Sequence, residues 1–490
     1  MNKNNYLQDF SHFFEPRTVA VIGASTRNPH ALPNVFMRRI REVGFTGDIY
    51  PINPTAAEVE GHKCYPSLAD TPKPVDYAYI GVGGGQIPAM LEAVRTRKPG
   101  HVRFAHVVSS GFGEVDEGKA LQDELVAAAR AGGMRLVGPN CMGLYSPRGR
   151  ITFAEVGPWE LGHVGVLSQS GGLGTDIIRR GRGRGVKFSA LVTVGNCADV
   201  TPTEFVEYYF ADEQTHVIGL YLETAKDGRR LFELLREKKA GKPVVILKGG
   251  RTQQGLAAAA SHTGSLAGDD RVWVALSRQT GCVLVDTLDQ FVDTLLLFQS
   301  VKANIAHPTK RVALFGNGGG TSVLATDYFA RLGLDVIPFA TETIAELAAL
   351  KLPAGTSITN PVDCPVGTLQ QDDGRVAEKI LDIIYASGKP DALVMHLNLS
   401  SFAGRAKPEV LDNLMDAAVR VQEKYPGQAH FMLALRSDGD PKLEERKREF
   451  RAKAVARGVP VYDEMTNVGH ALAALAAHER FVFSRHRETT

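Results

Sequence analysis

The sequence predicts an α/β fold of parallel, doubly wound sheets in three successive domains, 10–145, 150–300 and 305–490. Three observations carry this. Apolar strand-like runs alternate with helix-like runs along the chain, as in a parallel sheet covered on both faces. The strands end in Gly, Ser, Asn or Glu, residue types found at the ligand-binding carboxyl edge of such sheets, and the chain carries 50 glycines. One pattern (apolar strand, small polar residues, paired glycines, helix) opens the second domain at 164–175 and returns at 312–322.

In the first domain, strand Thr18–Ile22 runs into Gly23, Ala24, Ser25 and Thr26, then a helix near Asn34–Val43. Strand Asp48–Ile52 ends at Asn53, strand Val75–Val82 at Gly83, Gly84 and Gly85, and strand Ala105–Val108 at Ser109 and Ser110. A short strand, Arg135–Val137, ends in Gly138, Pro139 and Asn140. The pattern is Rossmann-like and nucleotide-binding. It departs from a dinucleotide site twice. GASTRNP lacks the full G-x-G-x-x-G, and Asn53 stands where an NAD site wants Asp or Glu for the ribose hydroxyls.

In the second domain, strand Val164–Leu167 leads into Ser170, Gly171 and Gly172 and a helix. Free N–H groups at that helix start make an anion site; a close strand–helix packing turn is the alternative. Strand Ala190–Val194 ends in Gly195 and Asn196, and strand Val217–Leu222 in Glu223, whose ordinary alternative is a solvated acid. Strand Pro243–Leu247 enters LKGGRTQQGLAAAASHTGSLAGDD, 247–270. We read this stretch as a long loop of small residues around His262, before a helix that starts near Asp269 and Asp270. Its glycines let a ligand approach the backbone, and Ser261, Thr263 and Ser265 surround the ring with hydroxyls. Such a histidine suits phosphoryl transfer, the phosphate being held by backbone amides and a helix dipole. An incidental histidine on a surface loop is the alternative. Three neighbouring strand ends thus offer an anion cradle, a carboxylate and an imidazole. A carboxylate on one ring nitrogen fixes the tautomer and makes the other nitrogen the better nucleophile.

In the third domain, strand Val312–Phe315 runs into GNGGGTS and a helix to Leu332, a flavodoxin-like opening that repeats the second domain's. TNPVD, 359–363, is a proline-fixed turn. Strands Ala392–Met395 and His430–Leu433 and helices near 407–424, 440–456 and 466–478 complete the sheet. No strong catalytic cluster appears here, and His396 reads as structural.

A net charge of +2 argues against nucleic acid or an acidic membrane as the main partner. The five cysteines form no C-x-x-C pair, so neither a disulfide framework nor a metal site is implied. The N-terminus lacks an apolar core of signal-peptide type and no run of 18 apolar residues occurs, which gives the expectation of a cytoplasmic protein with reduced thiols.

These segments carry a family. VAVIGAS (19–25), INP (52–54), SSGFGE (109–114), GPNCMG (138–143), LSQSGGLGT (167–175), VGNCADV (194–200), YLE (221–223), KGGRTQQG (248–255), SHTGSLAG (261–268) and TNPVD (359–363) span nearly the whole chain, in family order. The chain resembles the NDP-forming acyl-CoA synthetases, the superfamily of succinyl-CoA synthetase, and is most similar to the α subunit of the ADP-forming acetate–CoA ligases. The resemblance implies a CoA-binding first domain followed by two succinyl-CoA synthetase-like, flavodoxin-like domains. Coenzyme A would lie at Gly23, Ala24, Ser25 and Thr26, with Asn53 and Val108, Ser109 and Ser110 nearby. His262 would be phosphorylated and dephosphorylated in each turnover, Glu223 would hydrogen-bond its ring, and Ser170, Gly171 and Gly172 would hold the phosphate. Asn140 and Thr175 are candidate contacts to the acid. The implied reaction is acid + CoA + ATP = acyl-CoA + ADP + phosphate, by way of an acyl phosphate.

Two features sit apart from that pattern. The third strand ends in GVGGGQIP where the family often has a small residue and then proline, and Cys364 follows TNPVD where an apolar residue is commoner. No segment resembles an ATP-grasp domain. The resemblance therefore places ATP or ADP and Mg²⁺ on a separate ATP-grasp β subunit, in an α2β2-type hetero-oligomer. The expected small-molecule partners are a carboxylic acid, its CoA thioester and phosphate. A CoA- or acyl-CoA-binding sensor or scaffold of the same fold is the alternative, with an NAD-dependent oxidoreductase behind it. Which acid is activated is not legible in the sequence.

Overall fold

The computed structural model describes residues 10–155, 157, 159–237, 241–263 and 269–489, without the side chains of 260–263, 408, 486, 488 and 489. It holds three mainly parallel sheets. In the first, strands Thr18–Ile22, Asp48–Ile52, Val75–Ile80, Val102–Val107 and Arg135–Val137 pair in the order 2-1-3-4-5 when numbered along the chain. Strands Val312–Gly316, Val362–Asp363, Ala392–Asn398, His430–Arg436 and Val461–Tyr462 of the third sheet take the same order. So do Val164–Ser168, Phe188–Thr193, Val217–Leu222, Val244–Lys248 and Val283–Val285 of the second, whose edge is extended by an antiparallel hairpin, Leu144–Ser146 and Ile151–Thr152. This is the flavodoxin-like order. It opens a crevice between the ends of strands 1 and 3, where the winding reverses.

The strands are apolar on both faces because helices cover both; every residue of Val75–Ile80 and Phe188–Thr193 is buried. Contacts gather the chain into two compact units, Met1–Arg182 with Val186–Asp286, and Gly183–Gly185 with Thr287–Thr490. Helix Leu288–Ser300 belongs to the second unit, where it packs along Met465–Thr489.

Within the first unit an aromatic cluster and an ion network join the two sheets. Phe13 and Phe14 are fully buried, and Phe14 stacks on Tyr208 at 4.5 Å between ring centroids. Asp199, from VGNCADV, accepts from Arg130 at 2.9 Å, from Arg135 at 3.0 Å and from the Leu136 N–H at 2.9 Å. That motif thus clamps the last strand of the first sheet to the second.

The 249–268 stretch departs from the loop reading. Gln253–Thr263 is a helix, and 264–268 lie outside the described residues. The run Leu256–Ala260 is rich in alanine, the strongest helix former, and it outweighs the glycine at 255. Thr252 receives the Gly255 N–H on its hydroxyl at 3.0 Å at the helix start. Among the described residues no helix is long and apolar enough to cross a membrane.

Candidate active site

The crevice of the second sheet assembles from three strand ends. From the first strand, the Ser168 hydroxyl donates to the Ser170 carbonyl at 2.7 Å and shapes the turn into helix Gly171–Arg184. A Cβ on Gly171 would fall 2.5 Å from Met142 Cγ, so this helix start requires glycine. The Ser170 hydroxyl accepts the Leu173 N–H at 3.3 Å, while a Cβ on Gly172 would meet nothing within 4 Å. There is room for a side chain at Gly172, and the Leu173 N–H is met by Ser170. Thr175 turns its hydroxyl back to the Gly171 carbonyl, 3.3 Å away.

From the third strand comes Glu223, 7% exposed. Its Oε1 accepts the Tyr221 hydroxyl at 3.1 Å; its Oε2 is buried with no hydrogen-bond partner among the described residues. A buried carboxylate oxygen left unpaired is costly and calls for a partner, whether water, an ion or another polar group. Gln169 links this carboxylate to the helix start: its Oε1 accepts the N–H groups of Glu223 and Thr224, the latter at 2.9 Å. Its Nε2 reaches Cys197 Sγ at 3.6 Å, and burial pushes that thiol up to about 11, which keeps it protonated and unreactive.

From the fourth strand come Lys248 and Gly249. The Gly249 N–H donates to the Leu222 carbonyl at 2.9 Å, and a Cβ there would lie 2.8 Å from the Tyr221 hydroxyl. The KGG glycine is thus forced by close approach to Tyr221–Glu223. Lys248 is 5% exposed; its ammonium donates to the Gly249 carbonyl and lies 5.4 Å from the centroid of the Trp273 ring. Burial lowers its pKa and the charge of Glu223 opposes the shift.

The side chain of His262 lies outside the described residues; its backbone is near the end of helix Gln253–Thr263. The helix that follows, Asp270–Thr280, is capped by its own acid: Asp269 accepts the Arg271 N–H at 2.9 Å. Asp270 is held by Arg251 at 2.5 Å, which gives the arginine of KGGRT a structural task. Asp269 thus occupies part of the N–H end of the helix that follows His262.

In the first sheet the expected ligand turn is held by its own hydrogen bonds. Gly23 sits at φ +96°, with the Gly81 carbonyl 2.4 Å from where a Cβ would stand. The Ser25 N–H donates to Asn34 at 2.8 Å, and its hydroxyl accepts the Arg27 and Asn28 N–H groups at 3.1 and 3.0 Å. Asn53 donates to the Ala24 carbonyl at 3.2 Å and accepts from the Thr55 and Ala56 amides, so it pins the turn. Ser109 donates to the Val82 carbonyl at 2.5 Å; Val108 is half-buried, and Thr26 and Ser110 are exposed. The GGG after strand Val75–Ile80 forms a short 3₁₀ turn under Phe112, whose ring lies 3.0 Å from a Cβ built on Gly84.

The two sheet edges meet at Asn140 and Asn196. Asn140, at φ +60°, donates its N–H to the Ser109 carbonyl at 2.9 Å and its amide to Asn196 at 3.4 Å. Asn196 donates to Glu114 at 2.6 Å and to Gln122 at 3.0 Å, and its carbonyl accepts Lys226 at 2.9 Å. Gln169, Lys248 and Lys226 were not singled out from sequence, and Asn196 only as the end of a strand. The polar residue between Ser168 and Ser170 was the one signal that could have found Gln169. Gly113, Asn196, Gln169, Glu223 and Lys248 line one cavity of about 830 Å³.

Residues 17–147 match the CoA binding domain family, and 161–298 match the succinyl-CoA ligase like flavodoxin domain. The chain is 32% identical over 474 residues to the α subunit of acetate–CoA ligase (ADP-forming) II of Pyrococcus furiosus, covering 96% of this chain and 98% of that protein. It is 30% identical over 487 residues to a trans-feruloyl-CoA synthase of an unknown prokaryotic organism, covering 94% of this chain and 66% of that one. Among solved structures it is similar to the dinucleotide forming acetyl-coenzyme A synthetase 1 of Candidatus Korarchaeum cryptofilum in complex with phosphate and ADP. There the TM-score is 0.83, with 28% identity and coverage of 98% of this chain and 99% of that one.

Proposed function

Because the chain belongs to the family of ADP-forming acid–CoA ligases, we propose that it is the α-type subunit of such a ligase and works through a phosphohistidine at His262. The reaction is acid + CoA + ATP = acyl-CoA + ADP + phosphate. The observation that carries this reading is the buried Glu223 Oε2, left without a partner among the described residues. Gln169 ties its strand end to an open helix start. An imidazole N–H is the partner such an oxygen lacks, and the helix start is where the phosphate on that ring would be held.

In the thioester-to-acid direction, a phosphate oxygen attacks the thioester carbonyl and the CoA thiolate leaves, giving acyl phosphate. The unprotonated ring nitrogen of His262 then attacks phosphorus and the carboxylate leaves. ADP takes the phosphoryl group from the ring. Glu223 holds the other ring nitrogen protonated and offsets the positive charge that develops on the imidazole. Ser170, Gly171 and Gly172 stabilise the transferring phosphoryl group by fixed amides, so little reorganisation is needed. CoA sits at Gly23, Ala24, Ser25 and Thr26, near Asn53 and Val108, Ser109 and Ser110. Its thiol end is directed past Asn140, toward the acid beside Asn140 and Thr175.

The nucleotide and its Mg²⁺ are held by a separate ATP-grasp β subunit, in an α2β2-type assembly. The purified chain alone is expected to bind CoA yet make no acyl-CoA from ATP; adding the partner restores ligation. ATP-dependent ligation by the isolated chain would refute this division. CoA binding with no ligation under any pairing would favour a sensor of the same fold.

A further inference from the structure

Where the edges of the first two sheets meet, part of the junction is locked by backbone. The Asn196 N–H donates to the Pro139 carbonyl at 3.0 Å, and the Ala198 N–H to the Gly138 carbonyl at 3.0 Å. A Cβ on Gly195 would fall 2.1 Å from the Pro139 carbonyl oxygen. The neighbouring bend of the first sheet, at Gly111, Phe112 and Gly113, is joined to this junction through side chains. One oxygen of Glu114 accepts the Gly111 N–H at 2.5 Å and the Phe112 N–H at 3.2 Å; the other accepts the Asn196 amide at 2.6 Å. Gln122 accepts the Gly113 N–H at 3.3 Å and the same Asn196 amide at 3.0 Å. Phe112 is fully buried, whereas Gly111 is exposed at φ +95° and a Cβ there would meet nothing within 4 Å. Burial raises the Glu114 pKa, but the Asn196 amide and the bend's own N–H groups outweigh it. The carboxyl is held below its usual range and stays ionised at neutral pH. Hydrogen bonds to an ionised acceptor are roughly twice as strong as neutral ones.

We infer that Glu114 is a positioning residue: it sets the 109–113 turn of the first sheet in register with the strand end of the second sheet at Asn196. The inference rests on the ligase reading above, in which CoA lies near Val108, Ser109 and Ser110 and acyl phosphate forms at the second-sheet crevice. One step then needs groups held by both sheets at once. A phosphate oxygen attacks the thioester carbonyl, the C–S bond breaks, and the CoA thiolate leaves and takes up a proton. Transfer from acyl phosphate to His262 engages the second sheet alone. A brace between the sheets therefore governs the first step and not the second. Misplacing one reactant by about 1 Å costs about 10²-fold in such a step.

The test feeds label in on either side of that step. The full chain is incubated with acetyl-CoA and radiolabelled phosphate, or with acetyl phosphate labelled on phosphorus, and protein-bound label is timed against a His262→Ala blank. Glu114→Gln keeps the side-chain shape and an acceptor for the Gly111 N–H, but turns an NH₂ group toward the Asn196 amide and breaks the brace. Labelling from acetyl-CoA should slow by about 10- to 100-fold. Labelling from acetyl phosphate should change by no more than about twofold, the usual effect of a substitution away from the step measured. The double variant Glu114→Gln, Asn196→Asp lets the new amide donate to the new carboxylate, and should recover most of the lost rate. A merely structural residue would slow both labellings alike and would not be rescued. With the wild type labelled from both donors, three results overturn the inference and leave the ligase reading standing: no change in Glu114→Gln, an equal loss from both donors, or a double variant no faster than the single one. A wild type labelled from neither donor removes the ligase reading, and this inference with it.

Discussion

The second and third sheets share a strand order and a way of starting. Each sends its first strand through small polar residues into a helix with paired glycines, Gly171 and Gly172 in one, Gly319 and Gly320 in the other. Around the third-sheet turn several side chains are tied to one another, while His396 Nδ1 and Arg436 Nε are buried without a hydrogen-bond partner among the described residues. Asp363 accepts the Gly318 N–H at 2.8 Å, Arg436 donates to the Thr321 hydroxyl at 2.7 Å, and His396 meets Ser322 at 3.1 Å. Beside the second-sheet turn, Glu223 keeps an oxygen unpartnered among the described residues and faces a hollow. The shared pattern fixes a backbone. The acid that arrives from another strand differs: Asp363 is spent on a backbone N–H, while Glu223 lines the hollow.

The largest effect should come from the two acids. Glu223→Gln keeps the volume and removes the charge, and should lower kcat by about 10²–10⁴-fold, the usual range for a lost acid–base partner. Asp363→Asn should cost less than that by at least an order of magnitude, because its work is a backbone hydrogen bond. Equal losses would break the comparison.

The glycines sharpen it. A Cβ on Gly172 or on Gly320 meets nothing within 4 Å, so alanine at either should leave melting unchanged or slightly raised, by up to about 1 kcal/mol of helix propensity. Only Gly172→Ala should raise the KM for phosphate, by about tenfold, the cost of weakening one hydrogen bond to a charged group.

The edges should also differ in pH response. Burial pushes the His396 pKa from 6.5 down to about 4. The unfolded chain therefore takes up this proton first as pH falls, and stability of the second unit is lost between those values and flat above them. Thermal melts of His396→Gln should lack that acidic limb. Lys248 is lowered from 10.5, also by burial; folded, it binds fewer protons than unfolded, so its part of the stability grows as pH rises toward that value. Smallest of all, Thr175→Val should change turnover by no more than about twofold, since its hydroxyl is spent on its own helix.

Much of the scaffold was legible because apolar strands buried on both faces stand out. Thr18–Ile22, Asp48–Ile52 and Val217–Leu222 fall where the sequence put them. Ser170 and Glu223 were legible as strand-end residues, and the strand order brings their ends side by side. Partners from distant strands were not legible. Nothing local marks Lys248 as a wall of the cavity beside Glu223, or Asp199 as the anchor of Arg135. The edge hairpin at 144–152 was missed because its strands have only three and two residues. The Gln253–Thr263 helix is masked in the sequence by the glycines and hydroxyls that flank its alanine run.

The most direct test of the central claim is phosphate on the chain itself. Incubated with an acyl-CoA and radiolabelled phosphate, the wild-type chain should gain label that survives alkali and is lost in acid. His262→Ala should gain none, and Glu223→Gln should gain it far more slowly. Label absent from the wild type, or undiminished in His262→Ala, would contradict the account.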